Sequence, residues 1–104
     1  RLNGSMPMIF RYLSNLRILD VSNNLLTGNL MDFTILESME ILRIGLNKFE
    51  GSIRPLELPV SLKIFEINHN KFTGGIPSEI ERLSNLEELI ARDNNLGGDI
   101  PKEI

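Results

Sequence analysis

Residues 16–28 read Leu16-Arg17-Ile18-Leu19-Asp20-Val21-Ser22-Asn23-Asn24-Leu25-Leu26-Thr27-Gly28, and the same pattern returns three more times in 104 residues. Leu19, Leu42, Phe65 and Leu89 are spaced by 23, 23 and 24 residues. Two positions after each stands Val21, Ile44, Ile67 or Ala91, and three further on always an Asn: Asn24, Asn47, Asn70 and Asn94. Leu26, Phe49, Phe72 and Leu96 follow, then Gly28, Gly51, Gly74 and Gly98, then Leu30, Ile53, Ile76 and Ile100. A fixed period of this length marks a stack of supersecondary units rather than one globular core. The chain divides into a partial unit at 1–12, in which Leu2, Gly4, Met6 and Pro7 match the end of a repeat, and units at about 13–35, 36–58, 59–82 and 83–104.

Each column has a physical reason. Alternation in residues 18–22 places Leu19 and Val21 on one face and Ile18, Asp20 and Ser22 on the other, as in a short half-buried strand. One such strand per unit, with a return path of about 18 residues, requires parallel pairing. The Asn column falls where the chain turns inward. An amide carries both donor and acceptor and can serve backbone groups of its own turn and of the neighbouring one. The Gly column predicts a tight passage or positive φ. Pro7, Pro77 and Pro101 suit bends into the outer segment. There, residues 77–83 predict a short 3₁₀ turn over Ile80 and Leu83, with shorter counterparts at Phe33–Leu36 and Leu56–Pro59.

These residues resemble the leucine-rich repeat family, whose pattern is met in units beginning at Leu16, Met39, Leu62 and Leu86. The resemblance implies an α/β repeat solenoid: a right-handed superhelix with a parallel concave sheet, short 3₁₀ or irregular convex segments and little long helix. Leu26-Thr27-Gly28, Phe72-Thr73-Gly74-Gly75-Ile76-Pro77 and Leu96-Gly97-Gly98-Asp99-Ile100-Pro101 are similar to the plant-specific subclass, although Leu30-Met31 and Ile53-Arg54 replace Ile-Pro in two units. That subclass is familiar from extracellular domains of receptor-like kinases, receptor-like proteins and polygalacturonase-inhibiting proteins, and it implies a second short strand after the Asn turn. A protein or peptide ligand, with a co-receptor as a further partner, would bind the concave face.

Composition narrows the function classes. Net charge is −3 with mixed signs, which argues against nucleic-acid or anionic-lipid binding, and no apolar run is long enough to span a bilayer. The absence of Cys removes a thiolate metal site and a Cys nucleophile. It also means that the Cys-bearing caps of an intact ectodomain are not in this sequence, which together with an Arg at position 1 reads as a segment of a longer protein. No cofactor, metal site or catalytic residue is expected.

The outward columns are the candidate binding residues: Arg17, Ile18, Asp20, Ile41, Arg43, Ile64, Glu66, His69 and Arg92. Arg17, Glu40, Lys63 and Glu87 alternate in sign, as do Asp20, Arg43 and Glu66, which reads first as inter-strand ion pairing and second as partner contacts. Ile18, Ile41 and Ile64 form an apolar stripe that ends in Glu88. The stripe fits either strand propensity, shielded by Lys and Arg stems, or a docking strip. His69 could face Asp93, but no nucleophile or second His accompanies it, so an ion pair or partner contact is the better reading. Asn3-Gly4-Ser5 is a glycosylation triplet, consistent with secretion. The leading expectation is a non-catalytic recognition module of an extracellular, cell-surface receptor. The alternatives are an intracellular or structural scaffold, a secreted inhibitor, and ice binding, which would want a regular Thr array that only Thr27, Thr34 and Thr73 could supply.

Overall fold

A computed structural model describes residues 3–5, 15–29, 37–53, 58–76 and 78–96. Pro7, Leu30, Phe33–Leu36, Pro77 and Pro101, together with Gly98 and Ile100, lie outside these residues, as do the side chains of Asn3 and Ser5. Strands alternate along the chain: β1 (Asn3–Ser5), β2 (Ile18–Asp20), β3 (Leu25–Gly28), β4 (Ile41–Arg43), β5 (Lys48–Ser52), β6 (Ile64–Glu66), β7 (Lys71–Gly74), β8 (Glu88–Ile90) and β9 (Asn95–Leu96). They sort into two parallel sheets, β2-β4-β6-β8 and β1-β3-β5-β7-β9. Helix among the described residues is confined to one 3₁₀ segment, Ser78–Arg82. The short strand after each Asn turn, implied by the resemblance, is present.

The inward columns make the core. Leu19, Leu42 and Phe65, then Val21, Ile44 and Ile67, then Leu26, Phe49 and Phe72 are buried, and Ile53 and Ile76 close the sequence of layers. Met39 and Leu62 begin their units fully buried. Ile80 and Leu83 pack beneath the 3₁₀ segment as its spacing predicts. Each such aliphatic side chain contributes about 1.5–3 kcal/mol on burial, so the stack is held mainly by contacts between units. Leu89, Ala91 and Leu96 are only partly buried against this core.

Strands of the first sheet are three residues long where the alternation suggested five, yet their main-chain pairing continues on both sides. Glu40 N donates to Arg17 O at 2.8 Å, Val21 N to Arg43 O at 3.0 Å, Asn23 N to Gly45 O at 2.9 Å and Asn24 N to Leu46 O at 3.1 Å. The Asn column then carries the chain inward. Asn47 Nδ2 donates to Ile44 O and Gly45 O of its own turn and to Val21 O of the preceding unit, while Oδ1 accepts from Leu26 N at 3.0 Å. Asn70 and Asn94 repeat this, accepting from Phe49 N and Phe72 N, and Asn24 donates to Val21 O and Ser22 O.

The turn has one feature that the columns concealed. The residue before each of these asparagines, Asn23, Leu46, His69 or Asp93, is left-handed, with φ of 59, 56, 54 and 59°. Those four share no side-chain type, and Leu has no local hydrogen bond to offset the cost of that conformation.

Candidate recognition surface

The first sheet is in exact columnar register: Ile18 pairs with Ile41, Ile41 with Ile64 and Ile64 with Glu88, and likewise Asp20 with Arg43, Arg43 with Glu66 and Glu66 with Ile90. Because side chains alternate, the outward residues of four strands form one continuous face. Ile18 is 58% exposed, and Ile41 and Ile64 are half-buried, so the apolar stripe is real and open to solvent at its β2 end.

The flanking charges are paired. Arg17 Nε donates to Glu40 Oε2, and Lys63 Nζ lies 3.2 Å from Glu40 Oε1, so one carboxylate bridges two cations. Hydrogen bonds from Arg17 and then Lys63 hold the Glu40 carboxyl below the usual carboxylate range, and Glu40 in turn raises the Arg17 guanidinium. Arg43 Nε donates to Glu66 Oε2 at 2.9 Å. Asp20 is occupied differently. Its Oδ1 accepts from both the hydroxyl and the N–H of Ser22, which lowers its carboxyl. These are solvent-exposed pairs, screened by water and salt. His69 Nε2 stands 3.0 Å from Asp93 Oδ2, with Arg92 Nε 3.8 Å from the same oxygen.

The geometry thus brings together the Ile stripe and the charged columns, and it gathers His69, Asp93 and Arg92 into a separate cluster beyond the strands. Among the described residues no group of three or more His, Cys, Asp or Glu side chains is placed to hold a metal ion. One residue of the face escaped the sequence reading. Gly45 is buried in a column otherwise made of Ser22, Asn68 and Arg92, and a Cβ there would stand 2.6 Å from Asn68 Oδ1. The Asn68 side chain lies in the space that Gly45 leaves. A Gly in the column where the other three units carry Ser22, Asn68 and Arg92 was the available signal.

Comparison with known proteins now bears on the same architecture. The Leucine Rich Repeat family pattern matches residues 15–34, 61–83 and 85–104, more than half of the chain. The chain belongs to the leucine-rich repeat family. This leucine-rich repeat chain is also similar to solved plant receptors. The peptide hormone receptor RGFR1 in complex with RGF2 shares 36% identity at a TM-score of 0.89, covering 99% of this chain and 17% of that one. The ectodomain of the Arabidopsis receptor kinase HAESA, in complex with an extended IDA peptide hormone ligand, shares 33% identity at 0.84, covering 96% and 18%. A plant ice-binding protein shares 33% identity at 0.78, covering 98% and 33%. The leucine-rich repeat chain therefore spans between about a sixth and a third of these structures. No curated protein matches it by sequence. Among the described residues no helix is long and apolar enough to cross a membrane.

Proposed function

We propose that this leucine-rich repeat segment is a non-catalytic recognition module from the ligand-binding extracellular domain of a plant-type receptor-like kinase or receptor-like protein. Its ligand is a protein or peptide held on the outward face of the first sheet by Arg17, Ile18, Asp20, Ile41, Arg43, Ile64 and Glu66, with His69 and Arg92 at the margin. The observation that carries the reading is the likeness, over nearly the whole chain, to ectodomains solved with peptide hormones bound. The continuous face with its exposed Ile stripe supports it. A co-receptor would be a further partner of such a domain. Asn3 is the proposed glycan acceptor of a secreted product, checked by a glycosidase-sensitive mobility shift that Asn3→Gln abolishes.

The likeness to an ice-binding protein gives a second reading a foothold. Against it, the Thr27 and Thr73 column is interrupted by Glu50, and the first sheet's outward face carries charged columns rather than a regular row of threonines.

The test is binding of a pooled library of short secreted peptides to the displayed chain, compared with Ile41→Lys. Loss of binding with an unchanged melting curve is the expected result. Binding indifferent to Ile41→Lys, with stability also unchanged, removes the stripe from the recognition surface.

A further inference from the structure

The charges on the concave face are unevenly distributed. Across β2 the columns flanking the stripe carry Arg17 and Asp20, across β4 Glu40 and Arg43, and across β6 Lys63 and Glu66, so each of these strands is neutral over the face. β8 breaks the pattern. Its corresponding residues are Glu87, Glu88 and Ile90, with two acids and no cation. Glu88 occupies the register position of the stripe itself, next to Ile64, and is exposed. The cations nearest in the pattern are committed elsewhere, Arg17 and Lys63 to Glu40 and Arg43 to Glu66. Among the described residues neither Glu87 nor Glu88 has an ion-pair partner.

Over the described strands the face is therefore an apolar strip flanked by charges of both signs on β2, β4 and β6 and by two acids without a cation on β8. Parallel strands lie about 4.8 Å apart, so three Ile span about 10 Å and Glu88 lies about 14 Å from Ile18 along the stripe. An extended chain places alternate side chains on one face about 6.8 Å apart. Laid across the strands with one side chain over Glu88, it sets the next of the same face between Ile41 and Ile64 and the third over Ile18.

From this register and charge distribution we propose that the face takes an extended peptide segment of the pattern aliphatic-x-aliphatic-x-basic, in either chain direction, with the Lys or Arg over Glu88. This rests on the peptide-recognition reading above and adds the ligand chemistry that the face selects. An aliphatic pair gains by leaving water on the Ile stripe, and the cation meets the strand whose flanking columns carry two acids and no cation.

The experiment uses immobilised nonapeptides carrying Leu-x-Leu-x-Arg, the same set with Asp or Ala for Arg, and a set with the two Leu adjacent. Each is probed with the full chain, its folding checked by circular dichroism, and with Glu88→Lys and Glu88→Gln. We expect at least tenfold tighter binding of the Arg set than of the Asp set. Glu88→Lys should reverse that preference and Glu88→Gln remove it, with the melting temperature unchanged. Binding without preference for the basic residue or for the alternate spacing, or a preference that survives Glu88→Lys, overturns this inference while leaving peptide recognition standing. Absence of binding to every set overturns both.

Discussion

The two sheets arise from the same repeated unit but are laddered differently. In the first, equivalent residues face one another, Ile18 against Ile41 and Leu42 against Phe65. In the second, the Gly of one unit lies beside the Leu or Phe of the next: Gly4 beside Leu26, Gly28 beside Phe49, Gly51 beside Phe72 and Gly74 beside Leu96. That is a stagger of two positions of the repeat, about 6.6 Å along the strand, and it preserves side-chain parity because the strand period is two. Register without stagger builds ordered outward columns, the property a recognition face needs. Asparagines tie the two sheets together: Asn47, Asn70 and Asn94 each join carbonyls after one first-sheet strand to an N–H of the preceding second-sheet strand.

The largest expected effect comes from cutting that tie. Asn47→Ala leaves Leu26 N–H without its acceptor in a buried site and removes one of the two amide donors from the carbonyls of Val21 and Ile44, which Asn24 and Asn70 still serve; at about 1–3 kcal/mol for the unsatisfied group and about 0.5–1.5 kcal/mol for each further hydrogen bond lost, the loss should be roughly 2–4 kcal/mol. Asn23→Ala, at an exposed position, should cost about 1 kcal/mol, all of it from the left-handed φ of 59°. Equal losses in urea denaturation would contradict the division between tie and turn.

Glycines beside the first sheet and within the second should fail for different reasons. Gly45→Ala, two residues past β4, drives a Cβ to 2.6 Å from Asn68 Oδ1 and 3.2 Å from its carbonyl, an overpacking expected to cost about 1–3 kcal/mol and to be partly recovered by adding Asn68→Ala. At Gly74 a Cβ meets nothing within 4 Å, so Gly74→Ala should cost only the about 1–2 kcal/mol of a φ of 77°, with no second-site change at Asn95 recovering it. Thermal melts of the single and double variants check both, and a crowding account without recovery at Asn68 is wrong.

A smaller effect of opposite sign is expected at Leu46, left-handed at φ 56° and 47% exposed. Leu46→Asn should stabilise the chain by about 0.5–1 kcal/mol, since Asn tolerates this region and little apolar burial is lost. A lower melting temperature would mean that the packing of Leu46 outweighs its backbone cost.

The smallest effect is electrostatic and confined to the first sheet. Glu40 and Asp20 have lowered carboxyls in the folded chain. Their stabilisation is therefore complete above the ordinary carboxylate range, about pH 4, and is lost as pH falls through the depressed values. Stability measured from pH 6 down to pH 3 should fall, and Glu40→Gln or Asp20→Asn should flatten that slope. An unchanged slope in both variants would assign acid sensitivity to other groups.

Much of this was legible in the repeat. The inward columns, the parallel pairing, the Asn tie, the 3₁₀ segment over Ile80 and Leu83, the Glu40 and Glu66 pairs and the approach of His69 to Asp93 all follow from spacing, because a residue one period away lands on the adjacent strand. What spacing did not carry depends on backbone path. The left-handed residue before each Asn has no chemical signature when one of the four is Leu46. The Gly45–Asn68 fit needs the two side-chain positions in space. Asp20 looked like a partner for Arg43 and instead takes two hydrogen bonds from Ser22, a local competitor two residues away.

By itself the sequence determined the period, and with it which residues are inside and which strands neighbour one another, since burial of one apolar column per strand leaves few ways to stack. Only the tertiary structure decided how far each strand slides on the next. That slide sets whether outward residues meet as columns or in stagger, and it is governed by φ at Leu46 and its equivalents and by the main-chain bonds continuing through the turn, neither of which the side-chain pattern encodes.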